Sequence, residues 1–242
     1  MNMGNEDSGR LIELHEEFDK FAEAYRDIHT RNVQSVSGED STYFAEYKIK
    51  EIRARFGKLK GSFLDLGCGD GITAEFVNKY FPAMKYDGID ISEKSVEIAK
   101  SRKVLSSSFR VYDGYTIPFK NNTFDVVFMA CVLHHILPSK RRRIIRECRR
   151  VLKPGGKLII FEHNTYNPVT RKVVNDCIFD EDAILLSSRE TERRMRQARM
   201  HNIECRYTIF FPRKGIFSKF VPLEKYLSKI PLGGQYYITS EK

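Results

Sequence analysis

The chain has 242 residues, 41% of them hydrophobic and 30% charged, with a formal net charge of +9. That length buries one sizeable α/β core, and no apolar run reaches membrane-spanning length; the longest lies mid-chain around Val126–Leu133. Five scattered cysteines without a CxxC pair argue against a disulfide framework or a metal site, and the polar start MNMGNEDSGR lacks the layout of a signal peptide or an N-myristoylation site, so a cytoplasmic location is expected.

Leu11, Leu14, Phe18, Phe21, Tyr25 and Ile28 recur at three- and four-residue steps, the apolar face of one helix, and a second amphipathic helix is predicted over Tyr43–Phe56. Residues 1–60 therefore read as a helical cap or lid, with the main domain over 61–242. From Ser62 strands and helices alternate. SFLDL is a buried strand, ITAEFVNKYF a helix, YDGIDI a second strand, and Ser92 can N-cap the helix SEKSVEIAKSRK. SFRVYDG is a third strand and FDVVFMACV a fourth, apolar nearly throughout, as for a strand covered on both faces. Ser139 is placed to cap a helix through Arg150, and Pro154-Gly155-Gly156 to turn the chain into the strand KLIIFEH. A helical insert at about 167–200, the strand ECRYTIFF, a second insert over Ile216–Ile230 and the strand QYYITS follow. The alternation predicts an α/β fold, a doubly wound, Rossmann-like sheet.

The stretch FLDLGCGDG places Gly67, Gly69 and Gly71 directly after the first strand, where a doubly wound sheet binds ligands. The spacing is GxGxG rather than the GxGxxG of a dinucleotide site, and Asp70 stands where pyrophosphate would sit. Asp90 ends the second strand, where an acid can accept ribose hydroxyls, and Asp113 ends the third, placed to meet an adenine amine. Together they describe an adenosine-type ligand without phosphates.

With FLDLGCGDG, GIDIS, VYDGYTIPFKNNTFDVVFMACVLHHI and RVLKPGGKLII in order, the chain resembles the class I S-adenosylmethionine-dependent methyltransferases. The resemblance implies a seven-stranded sheet with its last strand antiparallel, S-adenosylmethionine as cofactor and S-adenosylhomocysteine as product. It implies that Asp65 and the backbone of Gly67, Cys68 and Gly69 lie along the methionine part, that Asp90 binds the ribose with Ile91 against the adenine, and that Asp113 holds the adenine amine. Gly114 departs from the small apolar residue usual after that acid. Ala130 and Cys131 would border the sulfonium and His135 would shape the pocket. Tyr25 resembles a tyrosine that closes over the cofactor; core packing of the first helix is the rival reading.

A hydroxyl acceptor must lose a proton, and His134 and His163, each just beyond a strand, are the candidate general bases. Hydrogen bonding to Glu162 or Asn164 is the plainer role for His163. The stretch EHNTYNPVTR, with IFFPRKG and PLGGQYY, resembles a branch of small methyltransferases associated with glycan and small-molecule biosynthesis, which would make Tyr166, Asn167 and Arg171 acceptor contacts. Asn167 before Pro168 is equally a helix cap. The leading expectation is O-methylation of a small-molecule or glycan-type acceptor. The basic runs Arg141–Arg150 and Arg189–Arg199 raise an anionic acceptor or an RNA methyltransferase as alternatives, or two solvated helix faces. The nucleic-acid reading is disfavoured because the position after strand four reads ACVLHH, without the proline and stacking aromatic of base amino-methylation. A non-catalytic cofactor binder, opposed by the intact glycines and acids, and a nicotinamide-dependent dehydrogenase, opposed by Asp70 in the glycine loop, are the remaining alternatives. Oligomeric state is not legible.

Overall fold

The computed structural model describes residues 18–20, 22, 28, 30–32, 34 and 37–242, the side chain of Phe179 excepted. The helix expected over Leu11–Ile28 falls largely outside them. Helix α1 (Ser41–Phe56) starts where Asp40 Oδ1 accepts the Tyr43 N–H at 2.7 Å. Then follow β1 (Gly61–Leu66), α2 (Ile72–Tyr80), β2 (Met84–Asp90), α3 (Glu93–Ser101), β3 (Ser107–Val111), β4 (Phe124–Ala130), α4 (Arg141–Val151) and β5 (Leu152–His163). The insert holds α5 (Pro168–Asn175) and α6 (Ser188–Gln197) with a 3-10 turn, Ile178–Asp180, between them. β6 (His201–Thr208), a 3-10 helix (Ile216–Leu223), α7 (Glu224–Leu227) and β7 (Gln235–Glu241) complete the chain.

The seven strands form one sheet in the order β3-β2-β1-β4-β5-β7-β6. β1 to β5 are parallel, and β7 inserts antiparallel between β5 and β6, as the resemblance implied. Reversal of strand order on either side of β1 opens the crevice at the carboxyl ends where ligands bind. Each central strand is buried on both faces. Leu158 and Ile160 of β5 point into one core with Ile144, Ile145 and Cys148 of α4, while Ile159 and Phe161 point into the other with Phe63 and Val77. Double burial explains why these strands read as unbroken apolar runs. Ile49 and Ile52 of α1 belong to the second core, so α1 is a layer of the sheet's own coat as well as a wall of the crevice.

Two local expectations are corrected. Ser139 does not cap α4, which begins at Arg141 without a side-chain cap; a turn in which the Leu137 carbonyl accepts the Lys140 and Arg141 N–H groups leads into it. Pro154-Gly155-Gly156 is not a turn before β5 but a register shift within it, the pairing passing from Phe124↔Leu152 to Val126↔Lys157. Ser92 does cap α3, accepting the Ser95 N–H at 3.0 Å.

Candidate active site

The glycine loop is fixed from below by β2 and from the side by one acid. The Gly67 and Cys68 N–H groups both reach the Ile89 carbonyl, at 2.8 and 3.1 Å, and Gly69 N–H donates to Asp90 Oδ2 at 2.8 Å. All three glycines have positive φ. A Cβ on Gly67 would come within 2.4 Å of Val132 and one on Gly71 within 2.7 Å of Ala99, whereas one on Gly69 would meet nothing within 4 Å. Gly67 and Gly71 are therefore demanded by packing, and Gly69 is the point at which the backbone lies open to a cavity.

That cavity has a volume of about 520 Å³. Asp65, Gly67, Cys68 and Gly69 of β1 and the glycine loop line it, with Asp90, Ile91 and Gly114 at and beyond the ends of β2 and β3 and Ala130, Cys131 and His135 at and beyond the end of β4. Asp65 is buried, with the Tyr86 hydroxyl donating to Oδ2 at 2.5 Å, and burial pushes its carboxyl up to about 7. Burial also raises Asp90, although the Ser92 and Gly69 N–H groups stabilise its charged form.

Asp113 departs from its expected place. It is exposed, its Oδ1 closes a turn by accepting the Tyr115 and Thr116 N–H groups at 2.8 and 2.7 Å, and the wall there is made by Tyr112, Gly114 and Tyr115. Asp70 borders the cavity but is not a bare charge: Arg102 Nη2 lies 2.6 Å from its Oδ2 and Nε donates to its carbonyl. Paired with Arg102 in this way, Asp70 presents little negative charge to a phosphate group. Tyr25 lies outside the described residues.

The histidines separate into different roles. Glu162, fully buried, accepts the Val132 and Leu133 N–H groups on Oε1, and its Oε2 lies 2.6 Å from His134 Nδ1. His134 Nε2 faces Asp180 Oδ1 at 3.2 Å. Burial works against an imidazolium there, but the two carboxylates outweigh it and raise His134 to about 9. His134 is thus a buried cation, not a base, and it is not part of the cavity wall. His134, His135 and Asp180 bring ligand-type atoms within 4.8 Å of one another, but both His134 nitrogens already face carboxylates, so the cluster as built is an ion network.

His163 lines the cavity, its ring 5.3 Å from that of His134. Burial, reinforced by the His134 charge, lowers it to about 4 and leaves it neutral. The partners expected to hold it are spent elsewhere. Glu162 holds His134, and Asn164 Nδ2 donates to the Pro231 and Gly233 carbonyls.

The acceptor end differs from expectation in detail. Asn167 reaches the wall, but it caps α5 by accepting the Thr170 N–H at 3.0 Å and donates to the Leu232 carbonyl. Tyr166 and Arg171 are exposed and stand off the wall; Val169, Thr170 and Val173 of α5 line it instead. Two side chains escaped the sequence reading. Lys48, buried on α1, lines the cavity, and burial lowers its pKa. Its signal was present, because Lys48 interrupts the apolar face Phe44–Lys48–Ile52 at helical spacing. Gln235 opens β7 at the wall, its Nε2 3.8 Å from Cys131 Sγ and its Oε1 buried without a partner among the described residues.

Residues 64–160 match a family model described as a methyltransferase domain. An uncharacterised protein of Methanocaldococcus jannaschii is 30% identical over 80% of this chain and 85% of its own. Demethylmenaquinone methyltransferase of Thermotoga maritima is 39% identical over 41% of this chain, and a tRNA N(3)-methylcytidine methyltransferase of Drosophila melanogaster 31% identical over 44%. Those two matches span only 42% and 35% of the relatives' own lengths. Among solved structures, a SAM-dependent methyltransferase of Thermotoga maritima superposes with a TM-score of 0.69 at 20% identity, covering 95% of this chain and 99% of that one, which is a likeness of fold.

Proposed function

The chain belongs to the class I S-adenosylmethionine-dependent methyltransferases, and on that premise we propose that it methylates an oxygen of a small-molecule or glycan-type acceptor. The observation that carries this reading is continuity. One cavity runs from the open backbone at Gly69 and the carboxylates of Asp65 and Asp90 to the neutral His163 and the free Gln235 Oε1. The first end suits an adenosine with an amino-acid tail: Gly69 leaves room for close approach, and Asp90 keeps acceptor capacity beyond its two N–H bonds. When bound, S-adenosylmethionine supplies a methyl carbon activated by a sulfonium.

At the other end this chain's own side chains do three things. The walls of Phe44, Val169 and Phe210 exclude water from the acceptor. Gln235 Oε1 offers a hydrogen-bond acceptor that orients a hydroxyl. His163 is uncharged and so free to take the hydroxyl proton as the oxygen forms its new bond, although a pKa of about 4 makes it a weak base, effective only in concert with that bond formation. Lys48 favours an acceptor with anionic character on the α1 side.

Calorimetry with S-adenosylmethionine and S-adenosylhomocysteine tests the first half; binding of neither by the wild type sinks the reading. A panel of hydroxylated small molecules and glycans, read by release of S-adenosylhomocysteine, tests the second. His163→Gln is expected to lower turnover about 10²-fold with cofactor affinity unchanged. Full turnover in that variant removes His163 as base. A nucleic-acid acceptor is the second reading, favoured by the likeness to the Drosophila tRNA enzyme.

A further inference from the structure

Among the described residues thirteen large hydrophobic side chains are exposed, and seven of them fall between Ile216 and Leu232. Each of the seven is 41–72% exposed. Monomeric proteins seldom leave so much apolar surface in one place without a use for it. The clustering follows from the 3-10 helix, whose three-residue turn stacks side chains in columns. One column, Phe217, Phe220 and Leu223, faces solvent; another, Ser218, Val221 and Glu224, turns inward. Tyr226, Ile230 and Leu232 extend the exposed apolar set, and Tyr166, which is exposed, and Val169 of the cavity wall flank Asn167, whose side chain donates to the Leu232 carbonyl.

The charge of the segment has one sign. Lys214, Lys219, Lys225 and Lys229 are all exposed. The one acid between Arg213 and Leu232 is Glu224, which is buried and held by both Arg213 terminal nitrogens at 2.7 and 3.0 Å. Glu224 also accepts the Phe210 and Phe211 N–H groups, tying the segment to residues that line the cavity. Val169 is at once exposed and part of the cavity wall, so the patch meets the cavity.

We propose that this segment is a peripheral docking surface that seats the cavity end of the protein on an anionic lipid bilayer. Phe217, Phe220, Leu223 and Ile216 enter the boundary between headgroups and acyl chains, and the lysines pair with anionic headgroups around them. Exposed apolar side chains interspersed with lysines along one short segment are what an interfacial segment needs, because apolar burial and attraction to anionic lipid add. A soluble protein partner would ordinarily bring acids to meet the lysines, and a second copy of this chain would bring four more lysines against them. Docking stands apart from the methyl-transfer reading; resting on that reading, it implies acceptors that partition to the membrane interface.

The test is co-sedimentation of the full chain with vesicles of phosphatidylcholine alone and of phosphatidylcholine with phosphatidylglycerol, at low and high salt. Binding to the anionic vesicles is expected, falling at least tenfold on phosphatidylcholine alone and several-fold in high salt. The double variant Phe217→Ser with Phe220→Ser should lose at least tenfold in vesicle affinity while its thermal midpoint and its affinity for S-adenosylmethionine stay at wild-type values. Lys219→Glu with Lys225→Glu should do the same on anionic vesicles only. No binding to anionic vesicles, or equal binding by the serine variant, overturns the proposal. A concentration-dependent dimer abolished by the serine variant, without vesicle binding, overturns it in favour of a self-interface.

Discussion

At the scale of single residues, Asp90 and Asp65 divide the work of the crevice. Asp90 holds the loop by accepting the Gly69 and Ser92 N–H groups and faces the cavity with what capacity remains. Asp90→Ala removes both the loop anchor and the expected ribose acceptor. Hydrogen bonds to a charged group contribute about 1.5–3 kcal/mol, so affinity for S-adenosylmethionine should fall about 10- to 100-fold by calorimetry. An unchanged affinity makes the ribose placement wrong. Asp65 is instead raised by burial to about 7, so below that pH it is protonated. A ligand carrying positive charge favours the carboxylate. Binding should release a proton below about pH 7, and affinity should rise with pH and level off above it. Calorimetry in buffers of different ionisation enthalpy reads the proton directly; a pH-independent affinity counts against Asp65 beside the charged part of the cofactor. Asp90 was legible because it ends β2, whereas Asp65, inside β1, was placed only by the resemblance. The Arg102 partner of Asp70 was not legible, because it stands 32 residues away and no local pattern links them.

At the scale of elements, the turn between β4 and α4 shows how far pattern reading reaches. Arg141 reads as one more charge in a basic run, yet it is among the largest fully buried side chains. Its Nε donates to the Leu133 and Ile136 carbonyls, each at 2.9 Å, and its other nitrogens reach the Ile184 carbonyl and Glu190. Arg141 therefore staples the β4–α4 turn to the helical insert, and the turn carries His134 and His135. Arg141→Met keeps much of the volume but strands those carbonyls, each costing about 1–3 kcal/mol when buried without a partner. A loss of at least ~2 kcal/mol in urea unfolding is expected, with weakened cofactor affinity because the cavity wall at His135 loosens. A stability within 0.5 kcal/mol of wild type, as surface substitutions usually give, shows the staple to be dispensable. Helices and doubly buried strands were readable because their apolar periods are local. The burial of Arg141, the service of Asp113 to a turn and the entry of Lys48 into the cavity depend on which surfaces meet, and only the last left a mark, a lysine on an apolar stripe.

At the scale of the whole molecule, the question is where a net charge of +9 resides. The two arginine-rich helices spend much of theirs internally. Arg150 pairs with Glu147 at 2.7 Å, Arg194 with Glu190 at 3.3 Å and Arg196 with Glu192 at 2.7 Å, while Arg149 donates to the Arg199 carbonyl. With Arg141 buried, the exposed cations of α4 are Arg142, Arg143 and Arg146, and Arg143 lies over the Tyr115 ring at the cavity. The three α4 contacts alone support a slope of log affinity against log salt of about 3 at most, whereas a protein neutralising 6–10 phosphates loses about 10³–10⁵ in affinity between 50 and 200 mM salt. Filter binding of this chain to tRNA and to duplex DNA across that range is expected to show weak affinity with a shallow slope, unchanged by Arg142→Ala with Arg146→Ala. A steep slope that this double variant flattens would instead make α4 a phosphate-binding face and move the acceptor from small molecules to RNA. Its contrast with the lysines of 214–229 is physical: those alternate with apolar side chains, which a phosphate backbone leaves in water and a bilayer interface takes in.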